Sequence, residues 1–248
     1  FAALYDARRR RYLVEDHPLR FAVSLGEAGR QPRPAGTGQS ALFVADPAFD
    51  RRANPGLERL PAAADEVSVV AVGYRHSRVL SGARATATAL SAELGRTGML
   101  HYAGHAVFDD ERPERSFLLT APDPGGAGPP VLTASAIAQL DLRNLSLVVL
   151  SACETVRTGE GRAAGFSGLA GAFLAAGAGG VLGSVWEVDD DRTRAFMTEF
   201  HRSYRTTGDA ASSLAATQRR LLRSPDPALR SPAAWAVFRY AGNSPPTR

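Results

Sequence analysis

The run Leu145-Ser146-Leu147-Val148-Val149-Leu150 constrains the fold of this chain more than any other segment. A nearly unbroken apolar stretch of strand length implies burial on both faces, the signature of a parallel sheet covered by helices on each side. Strand-like and helix-like segments alternate around it, as such a sheet requires. Ala41–Ala45 reads as a buried strand stopped by Asp46-Pro47, Arg78–Leu80 as a short strand, and Met99–Ala103 as a strand running into Gly104-His105. Gly180–Val185 reads as a further strand, and Trp235–Tyr240 as an edge strand. Helices are predicted over Leu60–Val72 with Pro61 in the first turn, over Ala83–Gly95, from the Thr133 cap to Leu140, and over Ser167–Ala176. Two more are predicted over Thr193–Tyr204 and Ala210–Arg223. Phe117–Thr120 is expected to be an antiparallel strand, and Thr155–Gly165 a polar loop. At the N-terminus, Arg11–Val14 and Leu19–Val23 flank the turn signal Glu15-Asp16-His17-Pro18 and predict a β-hairpin.

These elements fit 248 residues, enough for one large domain: a hairpin and loop over residues 1–40 and an α/β core over residues 41–248. No apolar run reaches the roughly 18 residues that cross a bilayer, and Phe1–Asp6 has no signal-peptide layout. The expectation is a cytoplasmic protein without membrane contact, cut from a longer soluble one. Lysine is absent, so all 29 basic residues are Arg, as a GC-rich coding sequence would give. The net charge of +4 and the run Arg8–Arg11 describe a solvated surface, and no nucleic-acid-binding motif accompanies that run. Direct contact with nucleic acid is therefore not expected.

There is one cysteine, Cys153, which excludes an internal disulfide and a cysteine-based metal site. No phosphate loop or metal box is present, and no cofactor is expected. A lone cysteine is either a small buried hydrophobe or a nucleophile, and its neighbours must decide. Ligands of open parallel sheets bind at the carboxyl ends of the strands. Two strands here end in reactive residues, one at Gly104-His105 and the other at Ala152-Cys153, 48 positions apart (153 − 105). If those strands are neighbours, an imidazole and a thiol emerge at the same rim. The imidazole can then take the thiol proton, and the backbone N–H groups of Cys153 and Ala106 are candidate oxyanion donors. Gly104 would leave room for a substrate backbone.

The segments Leu100-His101-Tyr102-Ala103-Gly104-His105-Ala106 and Leu147-Val148-Val149-Leu150-Ser151-Ala152-Cys153-Glu154-Thr155 resemble the paired His and Cys motifs of CHAT domains, caspase-like peptidases related to separase and gingipain. The resemblance extends through Gly165–Gly177, Gly183–Asp190 and Pro232–Phe238 with Gly242, in the family's order. It implies a caspase-like fold with a mostly parallel central sheet, a His105–Cys153 dyad without an obligatory third member, and cleavage of protein substrates. The family's residue after the catalytic His is often Gly; here it is Ala106. The resemblance also implies a helical-repeat region or partner protein that controls activity, and work in bacterial defence or cell-death circuits. An alternative is a catalytically silent caspase-like interaction module.

For substrate choice, Trp186, Glu187, Asp189, Asp190 and Asp191 follow a strand's carboxyl end. Asp190 corresponds to the separase-like Asp that meets a substrate Arg, and Trp186 could stack on a guanidinium. The same acidic run is also an ordinary N-cap for the helix beginning near Thr193. Glu154 is expected to brace the loop after the cysteine, and His101, on the same strand as His105, to pack in the core or contact the site. His17, His76 and His201 are expected at the surface. The loop Glu154–Ala164, with Arg157 and Arg162, is a candidate for ordering or cleavage on activation.

Overall fold

The computed structural model describes residues 1–22, 40–109, 111–126, 128–152, 154–158, 164–186 and 189–242, with the backbone alone for 154–158, 164–167 and 190. In chain order, β1 (Tyr5–Asp6), β2 (Arg11–Tyr12) and the single helical turn α1 (Leu13–Asp16) lead to β3 (Ser40–Pro47), α2 (Pro61–Ala71), β4 (His76–Gly82), α3 (Ala87–Leu94) and β5 (Met99–Ala103). Then come β6 (Ala106–Asp109), β7 (Phe117–Leu119), β8 (Val131–Thr133), α4 (Ala134–Ala138), β9 (Leu147–Ser151), β10 (Glu154–Thr158), α5 (Ala164–Ala175) and β11 (Gly180–Ser184). The chain continues through α6 (Asp190–Thr207), α7 (Ala210–Leu222), α8 (Pro227–Arg230), α9 (Pro232–Trp235) and β12 (Phe238–Gly242).

Six strands form the central sheet in the order β12-β11-β9-β5-β3-β4. All neighbours are parallel except the edge strand β12, which runs antiparallel to β11. The strand predicted from Leu145–Leu150 is β9, fully buried from Leu147 to Val149 and flanked on both sides. Alternation along β5 divides the two cores. Leu100 and Tyr102 pack with α3, α4 and α5, whereas Met99 and Ala103 pack with α2, α6 and α7. On α6, Phe196, Met197, Phe200 and Tyr204 enter the second core at the spacing of one helix face. Each large side chain so buried contributes about 2 kcal/mol. Asp189 caps α6 and Asp209 caps α7 through their side chains, and Gly208 between them takes the left-handed conformation (φ 65°) that ends a helix cheaply.

A second, four-stranded sheet, β10-β6-β7-β8, stands beyond the tips of β5 and β9. Two of its members differ from the sequence expectation. Ala106–Asp109 continues past the His motif as a strand, and Glu154–Thr158, expected to be loop, pairs parallel with it. The β-branched Thr155, Val156 and Thr158 suit a strand, and the free side of β6 supplies the partner. Residues 159–163 of the expected activation loop lie outside the described residues.

The N-terminal hairpin exists, but earlier in the chain than predicted. β1 pairs with β2, Tyr5 opposite Tyr12, and the Arg run forms the turn because Asp6 accepts hydrogen bonds from the N–H groups of Arg8 and Arg9. Leu13–Asp16 is drawn into α1 instead, where Val14 is buried and its carbonyl accepts from Arg219 Nε. Phe21 forms a parallel bridge to Ala241 on β12. Trp235, predicted in the last strand, belongs to α9 because Pro232 at its start sets a helical turn.

Candidate active site

The sequence of β5 sets where the imidazole stands. Tyr102 points inward and is fully buried. Its hydroxyl lies 2.8 Å from the His105 carbonyl oxygen and 2.6 Å from that of Leu119, sharing one proton between them. Burial pushes that phenol well above its ordinary range, so it stays a donor. A side chain at Gly104 would strike the Tyr102 hydroxyl and Pro47. The missing Cβ thus serves internal packing.

His105 follows Gly104 and is 4% exposed. Its Nε2 lies 2.6 Å from the backbone carbonyl of Glu58, an acceptor only, so Nε2 carries a proton and donates it. In the neutral ring, Nδ1 is then the basic nitrogen. Phe49 meets the ring edge-on, centroids 5.1 Å apart, and packs with Leu57 and Leu119. Glu58 and Phe49 were not signalled by any sequence motif. They reach the ring through loop geometry that residue types do not encode.

Cys153 lies outside the described residues, as does Glu187. The described residues that flank Cys153 nevertheless pair with those that flank His105, with a one-residue register shift further along β10, between Glu154 and Val156. In the central sheet Ala103 of β5 is opposite Ser151 of β9. In the second sheet Ala106 of β6 is opposite Glu154 of β10. Both pairs carry the same offset of 48 positions (151 − 103 and 154 − 106). Ala152 is buried, and its carbonyl accepts from Ser184 Oγ at 2.8 Å, tying the end of β9 to the end of β11. Ala106 is fully buried. The His105 carbonyl accepts from the Leu119 N–H at 2.9 Å. In a trans peptide the N–H opposes the C=O, so the Ala106 N–H points away from β7, toward the side of Glu154.

The acidic run divides. Asp189 accepts from the Arg192 N–H at 3.0 Å as the α6 cap and pairs with Arg192 Nε at 3.0 Å. Asp191 pairs with Arg194 at 2.9 Å. Asp190 is the first residue of α6. Trp186, two residues beyond β11, is 37% exposed and donates from Nε1 to the Ala233 carbonyl at 3.1 Å. It stands past the same end of the sheet as the tips of β5 and β9.

His101 does not reach the site. It is buried beneath α2 and α6, its Nδ1 2.9 Å from His201 Nε2 and its Nε2 2.8 Å from Glu66. The Glu66 contact is close but not aligned as a hydrogen bond. His201, expected at the surface, is 1% exposed, and its Nδ1 meets the Tyr74 hydroxyl at 2.7 Å. Its place on the apolar face of α6 explains the correction. His17 and His76 are exposed, as expected.

Comparison with solved structures returns the fold of cysteine peptidases. The Saccharomyces cerevisiae separase–securin complex matches over 90% of this chain and 13% of that one, at 12% identity and a TM-score of 0.54. The Arg-specific cysteine proteinase gingipain R matches over 87% of this chain and 48% of that one, at 11% identity and a TM-score of 0.51. The chain thus spans about an eighth and about half of these two neighbours. Caspase-1 from Spodoptera frugiperda aligns over 94% of this chain and 98% of its own, at 12% identity and a TM-score of 0.43. No curated protein matches in sequence. The profile of the CHAT domain, however, matches residues 1–243. That match over nearly the whole chain, borne by a mostly parallel sheet with His105 at its rim, places this protein in the CHAT-domain family.

Proposed function

We propose that the chain is a cysteine endopeptidase whose working pair is His105 and Cys153. The observation that carries this reading is the doubled register. The offset of 48 positions holds at the described residues on either side of Cys153, Ala103 to Ser151 and Ala106 to Glu154, before the β10 pairing shifts by one residue beyond Glu154, and this supports His105 and Cys153 as partners. The second support is the Glu58 carbonyl, which holds His105 Nε2–H and makes Nδ1 the basic nitrogen of the neutral ring. A backbone carbonyl thereby takes the orienting role that a third side chain plays elsewhere.

A free thiol, with a pKa of about 8.5, is only slightly ionised at neutral pH. His105 accepts the thiol proton and stabilises the thiolate. The thiolate attacks the peptide carbonyl, and the imidazolium then protonates the departing amine. Water, deprotonated by the same imidazole, releases the acyl group. The backbone N–H groups of Cys153 and Ala106 are the proposed oxyanion donors.

The substrate is a protein cut after a basic residue. Asp190 at the start of α6 meets the Arg or Lys, and Trp186 forms a wall of the pocket. Glu187 adds negative charge, and Asp189 divides its carboxylate between the cap and the pocket. The Arg specificity of gingipain R supports this preference. The separase–securin complex supports control by a bound protein, with a helical-repeat neighbour as a second source of control. A regulated bacterial defence or cell-death pathway is the setting.

The test is to incubate the protein and its Cys153→Ala variant with fluorogenic peptides ending in Arg, Lys or Asp and with a cell lysate, then sequence new N-termini. Cuts after Arg or Lys that disappear in the variant support the reading. Cuts that persist in the variant overturn the dyad. Cuts after Asp overturn the basic pocket and leave the dyad standing.

A further inference from the structure

β3 ends beside β5, with Ala45 opposite Ala103, and there its regular course breaks. Asp46 adopts a positive φ of 41°, a conformation that Asp and Asn tolerate best among residues with a side chain. The pairing with β4 shifts register between Ala45 and Pro47. The Asp46 carboxylate, 9% exposed, binds two consecutive residues of the loop before α2. It accepts from Arg59 Nε at 2.8 and 3.0 Å, from Arg59 Nη2, and from the Leu60 N–H at 3.1 Å. The residue immediately before this pair is Glu58, whose carbonyl receives His105 Nε2–H. Since the peptide from Glu58 to Arg59 is planar, fixing Arg59 and Leu60 fixes the direction of that carbonyl.

The geometry points to Asp46 as a positioning residue for His105, acting through the Glu58 carbonyl to keep the proton on Nε2 and Nδ1 turned to the thiol. This rests on the peptidase reading above. Asp46 touches neither the imidazole nor the sulfur, so its contribution is the direction of one carbonyl. Burial works against the charged carboxylate, but the Arg59 hydrogen bonds, the Leu60 N–H and the positive charges of Arg59 and His105 outweigh it and hold Asp46 below its ordinary range. The clamp is thus ionised wherever a thiol protease works.

Iodoacetamide reads Cys153 alone, because the chain has one cysteine. The alkylation rate of the full chain is followed against pH for the wild type, Asp46→Asn, Arg59→Gln and His105→Ala, with circular dichroism as a check of folding. Asn keeps the left-handed turn but loses the charge. In Asp46→Asn the thiol midpoint is expected to move upward and the rate at pH 7 to fall about tenfold, a shift of about one pK unit. Arg59→Gln, at a half-exposed side chain, is expected to move it the same way by less. Profiles of both folded variants that superimpose on the wild type overturn the inference. If Asp46→Asn does not fold, an unchanged Arg59→Gln profile overturns it alone. A wild-type profile of an ordinary thiol, left in place by His105→Ala, overturns the dyad and this inference with it.

Discussion

His101 and His105 leave the same stretch of chain four residues apart, and both are nearly inaccessible. What separates them is the kind of partner. His101 sits in a closed line of titratable side chains, Glu66, His201 and Tyr74. The Tyr74 hydroxyl meets His201 Nδ1, and His201 Nε2 meets His101 Nδ1. His105 is held by a backbone carbonyl, which orients a ring without competing for its proton. One arrangement uses imidazole as a polar filler of the core. The other turns the ring against a backbone carbonyl at the end of β5. Strand alternation explains the first, since position 101 faces α2 and α6, and the bend at Gly104 explains the second.

The sharpest way to break this contrast is to exchange the losses. His105→Ala is expected to lower kcat/KM about 10⁴-fold or more while shifting the urea midpoint little. His101→Ala is expected to cost about 3 kcal/mol of stability, through a cavity and stranded partners at Glu66 and His201, with the Cys153 alkylation profile unchanged. If His101→Ala alters that profile in a folded protein, the two regions are coupled and the contrast fails.

A second, smaller effect is pH dependence. His201 lies well below its ordinary pKa because it is buried and because His101 and Arg205 add positive charge. Its folded-state value is lowered, so the unfolded chain binds the proton first as pH falls. Stability is therefore full above about pH 6.5 and is lost below it, by up to about 1.4 kcal/mol per pH unit. Urea titrations at pH 7.5 and about 5.5 read this loss, and His201→Leu should flatten it. The Asp46 clamp, also lowered, loses its contribution only below the usual carboxylate range, so the two windows separate.

The smallest effect concerns the acidic run. Asp189→Ala should cost about 1 kcal/mol as a lost N-cap. Melting curves read that cost, and cleavage after Arg compared with Lys reads any share in the pocket. Loss of stability with an unchanged Arg-to-Lys ratio assigns Asp189 to the cap alone.

The central sheet was legible because β9 and its neighbours carry apolar runs that only a doubly covered sheet can bury. His105 was legible because a strand end followed by Gly-His is a local signal. Of the second sheet only the antiparallel strand β7 was. Glu154–Thr158 is polar enough to pass for loop, and only the unpaired side of β6 recruits it. The His201 burial was readable in principle, since 197, 200, 201 and 204 share one helix face. The Asp46–Arg59–Glu58 support was not, because it depends on a positive φ and on a carbonyl, and neither depends on side-chain type in a way a motif records. The first hairpin was misplaced because the Pro18 turn signal outweighed a turn built by Asp6 and arginines.

Phe21 lies against Ala241, and its N–H and carbonyl bond with Tyr240 and Gly242 of β12. During synthesis Phe21 therefore waits for β12. Until β12 emerges, β11 presents a bare, apolar margin that invites pairing with other chains. A premature stop only a few residues before Phe238 would thus yield a sticky product, not a slightly shortened one, with the His105 corner already complete.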